Sequence, residues 1–469
     1  MSKNKSENLL SALPGFHLTN LNYHTLHPIG LYMIKGQYHL FNKVHGLLAT
    51  DHTLIQHSTS QDLIQWNNLD PIQIVPENAQ ASTFVFDTKN VSALGVGSKV
   101  PLLLFYTMTS GTSQVYCQFS LDGGIKWNAV QKNAILDLKR AGGKAPFVFY
   151  HEASGKWIML ITLPGEFKVL FYSSKNLIKW ELVNDFGGHP SFKEKWEVAS
   201  LCPAMVVNVQ GKIKWILMVT TKGEYSASRY FIGEFDGKSF LCDHALDSML
   251  KVDNGKDFYG VQPGHGVFPK RNLLIAAAEN THYDEQMPSK GWKGFLTSPR
   301  EFYLNKEADG SVKLSQQFAP ELQALRIKHY TFPKSGITTE LEWDFELSSY
   351  MEFNLKLDSN KGCNLEFDFG NKTKLILTWD VIKHQILLDR TAKTLAFHPD
   401  FNSLETSNVT PGHVLDLHII LDKYSIEIIA DHGKVALTSI FFAMNDLQRF
   451  RIIGKQFAAS GDIWILKSV

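Results

Sequence analysis

Two histidines, His24 and His27, stand three residues apart in the stretch HTLHPIG, where Pro28 and Gly30 favour a turn that leads into a β-strand. An imidazole can act as a nucleophile or as a metal ligand. Much further along the chain, Glu197 in WEVASLC supplies a carboxylate, which can act as a general acid or base. These residue types raise the question of whether the histidine turn and the glutamate belong to one active site.

The spacing of the two histidines favours ordinary pocket or surface residues over a metal site. Their i, i+3 interval lies in a turn rather than on a helix, and neither an HxxxH motif nor a cysteine accompanies it. We therefore predict no metal site and no cofactor from this stretch.

The composition is that of an ordinary soluble globular protein, with 44% hydrophobic and 20% charged residues. Because 47 basic and 46 acidic residues nearly balance, we expect neither nucleic acid nor a membrane surface as a partner. No run approaches the roughly 18 apolar residues of a membrane span, and no signal peptide is evident, so we predict a cytoplasmic protein. The oligomeric state is left open. Free thiols in a reducing compartment are expected for Cys117, Cys202, Cys242 and Cys363.

A repeated pattern predicts the architecture of the first 320 residues or so. The stretches STSQDLIQW, FSLDGGIKW and YSSKNLIKW end at Trp66, Trp127 and Trp180, and the weaker copy GEFDGKSF ends at Phe240. Each copy is typical of a strand, a turn and an aromatic residue that opens the next strand. The interval of about 50 to 60 residues suits a four-stranded propeller blade, with the tryptophans in the blade core. Residues 21–320 are therefore predicted to form a five-bladed β-propeller.

Longer strands with alternating apolar and polar residues follow, as in NLEFDFGN and LILTWDVIKHQILLDR. This pattern is typical of an antiparallel β-sandwich, which buries one face of each sheet. The fold prediction is thus all-β, a five-bladed β-propeller followed by a C-terminal β-sandwich. The predicted segments are an N-terminal extension (1–20), the propeller (21–320), a linker (321–335) and the sandwich (336–469).

Several motifs resemble those of glycoside hydrolase family 32, the invertase, inulinase and levanase group. HSTSQDLIQW is similar to the family's GHAxSxDLxxW, KDFYGVQ at 256–262 to xDFYAxQ, and GWKGFLTSPREFYL at 291–304 to xWRGxMSxPRELxL. The resemblance covers nearly the whole chain and implies the same propeller and sandwich. It also implies a retaining mechanism that uses three acids: a nucleophile in WMNDPNG, a stabiliser in RDP and a general acid/base in WECPDLF.

Two of those three acids are replaced in this sequence. HTLHPIG places His27 at the nucleophile position and Leu26 at the preceding asparagine. KAPFVFY places Ala145 at the stabiliser position and Lys144 at the arginine before it. Only Glu197, at the acid/base position of WEVASLC, is retained. A covalent bond from His27 to a sugar is disfavoured, because neutral imidazole cannot stabilise an oxocarbenium ion as a carboxylate does.

Other positions of the implied sugar pocket also differ from the family pattern. Lys43 replaces a glutamine after YHLF, Ile55 and Gln56 replace the WG pair, and the FSGS segment is matched by residues 80–83, ending at Thr83. Trp196, beside Glu197, is kept. The resemblance thus implies these substrate-binding positions: Leu26, Lys43, Ile55, Thr83, Lys144 and Trp196.

Two further motif residues are predicted to have framework roles. Asp257 in KDFYGVQ is expected to support a blade rather than touch a ligand. Arg300 and Glu301 in SPREF are expected to form a framework salt bridge or a strand-end pair without a catalytic role.

The leading functional prediction is a family 32 homologue that does not hydrolyse β-fructofuranosides by the family mechanism. Its propeller funnel, near His27, Lys43, Ala145 and Glu197, is predicted to bind a carbohydrate or another small ligand. One alternative is an active glycosidase with altered chemistry, in which Glu197 is the acid and water or His27 replaces the nucleophile. A second alternative is a non-enzymatic scaffold that binds a partner protein.

Overall fold

A computed structural model of the chain describes residues 12–47, 53–73, 80–223, 227–246, 250–332, 336–342, 345–391 and 397–469. Residues 1–11 of the predicted N-terminal extension and residues 333–335 of the predicted linker lie outside this part. The described chain is almost entirely β-strand. Its helical segments are short 3₁₀ turns: Glu152–Ser154, Pro164–Glu166, Asp284–Gln286 and Pro320–Leu325. Nothing helical in these ranges is long and apolar enough to span a membrane.

The first part of the chain forms five successive antiparallel blades, which confirms the predicted propeller. Blade one contains β1 (Tyr23–Ile34), β2 (Gln37–Gly46), β3 (Thr53–Ser60) and β4 (Asn67–Asn68). Blade two contains β5 (Gln80–Phe86), β6 (Leu102–Ser110), β7 (Thr112–Ser120), β8 (Asn128–Ala129) and β9 (Leu136–Asp137). Blade three contains β10 (Lys144–His151), β11 (Lys156–Leu163), β12 (Lys168–Ser174) and β13 (Glu181–Gly187).

Two more blades complete the propeller. Blade four contains β14 (Lys195–Met205), β15 (Ile213–Lys222), β16 (Ala227–Phe235), β17 (Phe240–Cys242) and β18 (Leu250–Lys251). Blade five contains β19 (Tyr259–His265), β20 (Asn272–Ala278), β21 (Phe295–Leu296), β22 (Arg300–Lys306) and β23 (Val312–Phe318).

The first strand of each blade lies at the propeller axis. β1 pairs in parallel with β19, with Leu31 opposite Gly264, and this pairing joins blade five to blade one. The other first strands contact one another in the order β1, β5, β10, β14 and β19. These five inner strands therefore form a closed ring whose starts meet at one mouth and whose ends meet at the other.

Apolar side chains hold neighbouring blades together. Leu103 and Phe105 of β6 share one buried cluster with Met159 and Ile161 of β11. A middle strand is covered on both faces in such a stack, which explains why KWIMLITL reads as a continuous apolar run rather than an alternating one. Full burial of each such side chain contributes about 1.5–3 kcal/mol.

The repeated tryptophans close the same turn in three blades. The indole nitrogens of Trp66, Trp127 and Trp180 each donate to the carbonyl oxygen three residues earlier, at 2.8–3.1 Å. All three side chains are half-buried at the edge of the blade cores. The repeat that predicted the blades therefore corresponds to a recurring strand–turn–strand unit.

The C-terminal part is the predicted β-sandwich. The long strand β34 (Arg449–Leu466) belongs to both sheets of the sandwich. It pairs with Met351–Asp358 in one sheet and with Cys363–Asp368 in the other. Apolar residues of both sheets form one continuous core. The other strands are β24 (Arg326–Phe332), β25 (Thr338–Glu342), β26 (Met351–Asp358), β27 (Cys363–Asp368), β28 (Lys374–Asp380), β29 (Gln385–Asp389), β30 (Leu404–Asn408), β31 (Val414–Asp422), β32 (Ser425–Ala430) and β33 (Val435–Ile440). Because β24 already pairs with β34, sandwich pairing begins inside the segment 321–335 that the sequence assigns to a linker.

Two buried arginines connect the propeller to the sandwich. Arg300 of β22 binds Asp253 of the propeller at 2.8 Å and Glu427 of the sandwich at 2.7 Å. Glu301 faces the other way and pairs with Arg271, so the two neighbours do not form an ion pair with each other. Successive strand residues point to opposite faces, and this geometry separates them.

Asp257 belongs to the second of these connections. Its carboxylate binds Arg390 of the sandwich, and Arg390 also donates to the hydroxyl of Tyr283 at 2.7 Å. Asp257 thus supports the contact between the two domains, in addition to its place in blade five.

The described end of the predicted N-terminal extension packs against the sandwich. His17 lies 2.5 Å from Asp422 and 2.8 Å from Glu427, and the amide of Gly15 donates to Asp422 at 2.7 Å. His17 is buried, and Glu427 also binds Arg300, so the segment joins the ionic network between the domains.

Candidate ligand-binding site at the propeller axis

A β-bulge interrupts every inner strand close to its start. At each of these places the pairing with the second strand of the blade shifts register. A bulge turns a side chain away from its regular direction and is common beside functional sites. The residues between the paired positions are Leu26 and His27, Ser82, Ala145 and Pro146, Glu197, and Gly260 and Val261. Three of the predicted catalytic positions, His27, Ala145 and Glu197, therefore lie at bulges of three different blades.

Lys144 and Glu197 form an ion pair across the junction between blades three and four. The ammonium of Lys144 donates to the Glu197 carboxylate, and the two side chains are 31% and 17% exposed. Ala145, the next residue, has a left-handed backbone (φ 53°) within the bulge. The bulge in β10 therefore lies next to Lys144, the residue through which β10 contacts Glu197 of β14.

His27 is a neutral imidazole in this setting. Burial lowers its pKa well below the ordinary value, and the nearby charges of Lys43 and Lys144 lower it further. Its ring meets Tyr259 edge to face, with centroids 5.7 Å apart. Gly260 has φ +68° and passes so close that a Cβ there would stand 2.4 Å from the His27 Cβ. The position beside His27 on β19 therefore requires glycine.

Lys43 adds a second cation to the same space. It lies on β2 opposite the bulge of β1, since its neighbours Asn42 and Val44 pair with Pro28 and Thr25. Burial and the charge of Lys144 together lower the pKa of Lys43 to about 8, although the carboxyl of Glu279 opposes the change. Lys43 is consequently still mostly protonated at pH 7.

Tyr259 is affected by three nearby acids. Burial raises the pKa of its phenol, and the charges of Glu279, Glu197 and Asp284 raise it further. Neither Tyr259 nor Glu279 was predicted as a site residue from the sequence. Tyr259 lies in the motif KDFYGVQ, so the motif could have identified it as a candidate site residue. Glu279 follows an apolar strand and belongs to no recognised motif.

A separate group of possible metal ligands adjoins this space. His24 at the start of β1, Glu279 just after β20, and Asp284 at the start of a 3₁₀ turn place donor atoms within 4.8 Å of one another. His24 and Asp284 approach to 3.9 Å. The prediction of no metal site considered only the histidine spacing, and the two acids are more than two hundred residues away in sequence.

Three predicted binding residues lie behind the site rather than in it. The side chains of Ile55, Thr83 and Trp196 are 0% exposed. Ile55 belongs to an apolar cluster of blades one and two, and Trp196 to one between blades three and four. They support the funnel wall by packing. The side chain of Leu26 lies outside the described part of the chain.

A cavity of about 520 Å³ opens at the other end of the inner strands. Its lining includes Tyr32 of β1, Phe86 of β5, Phe149 of β10 and His265 of β19. These residues follow the bulges along each strand, so this aromatic cavity is distinct from the space around His27.

One of the four cysteines, Cys202, lines this cavity. All are unbonded; Cys117, Cys202 and Cys363 are buried, and Cys242 is partly exposed.

The closed five-bladed propeller, its bulged inner strands and the sandwich joined to it by buried arginines define a propeller–sandwich protein of the glycosidase type. The chain belongs to glycosyl hydrolases family 32: the N-terminal domain of that family matches residues 17–317, and its C-terminal domain matches residues 305–466. The resemblance inferred from the motifs is thereby confirmed.

Characterised relatives are levanases, inulinases and invertases. A levanase from Bacillus sp. strain L7 is 28% identical over 92% of this chain, and one from Bacillus subtilis is 27% identical over 91%. The chain spans 49% and 66% of the lengths of these two levanases. An extracellular exo-inulinase from Aspergillus niger is 26% identical and matches 91% of this chain and 88% of its own length.

Solved structures share the fold over essentially the full length. Exo-inulinase from Aspergillus awamori superposes with a TM-score of 0.87 at 22% identity, covering 97% of this chain and 98% of its own. A fructofuranosidase from Schwanniomyces occidentalis complexed with fructose superposes with a TM-score of 0.87 at 23% identity, covering 100% of both chains. These matches confirm the all-β propeller and sandwich.

Proposed function

We propose that this family 32 protein binds a carbohydrate in the funnel around His27 and does not cleave β-fructofuranosides by the retaining route. The observation that carries the proposal is the partly buried His27, whose lowered pKa makes its imidazole neutral, at the position that the family resemblance assigns to the nucleophile. The retaining route needs an anionic nucleophile there, and a neutral imidazole is not one.

The electrostatic surroundings support this proposal. Fructoside cleavage builds positive charge on the sugar ring, which a negative site stabilises. Here Lys43 and Lys144 both act on His27, and the stabiliser position is the methyl group of Ala145. The space around His27 therefore opposes the charge that develops during cleavage.

The same cations favour a ligand that carries negative charge. Ammonium groups form their strongest hydrogen bonds with carboxylate or phosphate oxygens. Lys144 already pairs with Glu197, and an anionic ligand would compete for that ammonium. We therefore infer that the preferred ligand is a sugar with an acidic substituent, held by Lys43 and Lys144.

The test combines turnover and binding for one pair of variants. The purified protein and its Glu197→Gln variant would be assayed on sucrose, inulin, levan and aryl glycosides, and binding would be screened on a glycan array that includes acidic sugars. Glu194→Gln is the matched control, because Glu194 lies three residues away and also pairs with a cation, Arg229. We expect no turnover, together with binding of acidic glycans that changes in Glu197→Gln but not in the control.

A second candidate is a glycosidase with altered chemistry, supported by the three carboxyl groups that act on Tyr259, one of which is Glu197. Glu197 would serve as the acid/base, and water or His27 would replace the nucleophile. Turnover of any glycoside that disappears in Glu197→Gln and persists in Glu194→Gln would establish this candidate and overturn the proposal. Absence of both turnover and glycan binding would favour a scaffold for a partner protein.

A further inference from the structure

Three donor side chains from distant parts of the chain converge at the edge of the funnel. His24 lies at the start of β1, three residues before His27. Glu279 follows the last residue of β20, and Asp284 begins the 3₁₀ turn after it. Their donor atoms all lie within 4.8 Å of one another, which is close to the spacing of ligands around a single metal ion.

Two of these donors are buried without a hydrogen-bond partner. His24 is 7% exposed and Glu279 is 2% exposed. Neither the Nε2 atom of His24 nor the Oε2 atom of Glu279 has a partner among the described residues. Buried polar atoms in folded proteins are nearly always satisfied, so unsatisfied atoms that face one another indicate a missing partner.

The burial of the two carboxyl groups points to the same missing partner. Glu279 is buried, the side chain of Asp284 is 13% exposed, and both belong to one cluster of donor atoms. A divalent cation between these carboxyl groups would give both a counter-charge.

The surrounding cations do not satisfy the two acids. Lys43 acts on Glu279, and Lys293 acts on His24 and Asp284, yet the described residues place neither ammonium within 4.0 Å of these carboxylates. The ammonium of Lys293 donates instead to the backbone carbonyl of Glu285. His45 also acts on His24 and completes the set of titratable neighbours whose charge affects it.

We propose that His24, Glu279 and Asp284 bind one divalent transition-metal ion of the zinc class. One imidazole nitrogen and two carboxylate oxygens form a mixed ligand set that suits such ions. Three protein ligands leave a coordination position open. The site lies beside the funnel, since His24 is three residues from His27 on β1 and the charges of Glu279 and Asp284 act on Tyr259. This site does not depend on the proposed carbohydrate function.

The experiment measures Zn²⁺ binding by the full-length protein after treatment with a chelator and desalting. Titration calorimetry of this metal-free protein gives the affinity. Elemental analysis of the protein after reloading with Zn²⁺ and a second desalting gives the stoichiometry. We expect one Zn²⁺ per chain, with affinity reduced at least about 10-fold in His24→Ala, Glu279→Gln and Asp284→Asn, because each loses a ligand. The control is His432→Ala, which removes an exposed histidine 3.0 Å from Asp416 and should leave the affinity unchanged.

Thermal melting separates lost binding from lost folding. Without metal, Glu279→Gln should melt at the wild-type temperature or above it, because a neutral amide replaces a buried carboxyl. Added Zn²⁺ should raise the melting temperature of the wild type and not that of the variant. The proposal would be overturned by failure of the wild type to bind Zn²⁺, or by three folded variants that all bind Zn²⁺ with the affinity of the wild type.

Discussion

The ammonium of Lys144 binds the carboxylate of Glu197 across the junction of blades three and four. The motif resemblance assigns Glu197 to the family's general acid/base position and Lys144 to that of an arginine. The carboxylate at the assigned acid/base position is thus engaged by a lysine that also acts on His27. Under the proposed function, this part of the funnel is a cationic binding space, which leads to the first prediction.

Lys144→Ala should weaken the binding of an anionic sugar more than that of its neutral counterpart. The variant removes one of two ammonium groups, so we expect about a 10-fold loss for fructose 6-phosphate and less than about a 3-fold change for fructose. Calorimetry on both sugars measures the difference. Lys168→Ala is a matched control, because Lys168 is also 31% exposed and pairs with Asp185 at 3.4 Å. Equal losses for the two sugars would contradict the anionic-ligand proposal.

Restoring the two missing acids should not restore hydrolysis. The double variant His27→Asp, Ala145→Asp is expected to fold, because aspartate tolerates the left-handed backbone at residue 145. Lys43 and Lys144 remain beside the new carboxylates and would neutralise them. We expect sucrose hydrolysis at least about 100-fold below that of the Aspergillus awamori exo-inulinase, which is within the range that lost electrostatic stabilisation costs. Recovery near that enzyme's rate would mean that the two substitutions alone abolish activity.

Arg300→Met should destabilise the protein strongly. Arg300 is fully buried between Asp253 and Glu427. Its removal takes the ion-pair partner from Asp253 and leaves Glu427 with His17 alone. Breaking a buried ionic network in this way costs about 3–5 kcal/mol. Urea unfolding measures the loss. Arg140→Met, which breaks an exposed pair with Glu166, should cost less than about 1 kcal/mol, and a similar loss in both variants would argue against the network.

The stability of the protein should fall between about pH 7 and pH 9.5 by an amount that depends on His17. Burial lowers the pKa of His17, but Asp422 and Glu427 more than offset this and raise it to about 9. A folded-state pKa above the unfolded value of about 6.5 stabilises the protein fully below pH 6.5, and this stabilisation is lost as the pH rises through 9. The contribution is on the order of 3 kcal/mol.

The control for this pH dependence is His17→Gln. Melting temperatures from pH 6 to pH 10 should show a fall in the wild type that is much smaller in the variant. Parallel curves for the two proteins would show that His17 is not protonated in the folded state.

The sequence predicted the blades because their determinants are local. The turn closed by Trp66, Trp127 and Trp180 lies within nine residues of sequence each time, so its repetition is visible without any structure. The sandwich was equally visible from alternation along its strands.

The site was predicted only in part because its contacts are not local. The resemblance located His27, Lys144 and Glu197, and the structure brings them together. It did not separate residues that face the funnel from those that pack behind it, such as Trp196, because one step along a strand reverses the side-chain direction. The cluster of His24 with Glu279 and Asp284 could not be found from sequence spacing. These residues come together only because the propeller closes by pairing β1 of blade one with β19 of blade five.

The long strand β34 has a consequence for how the sandwich forms during synthesis. Its partners β24, β25, β26 and β27 all precede it in the chain. Each of them leaves the ribosome with an unpaired edge that only residues 449–466 can cover. Exposed strand edges are sites of aggregation, so the nascent sandwich is most vulnerable, and most in need of chaperones, until this one strand emerges.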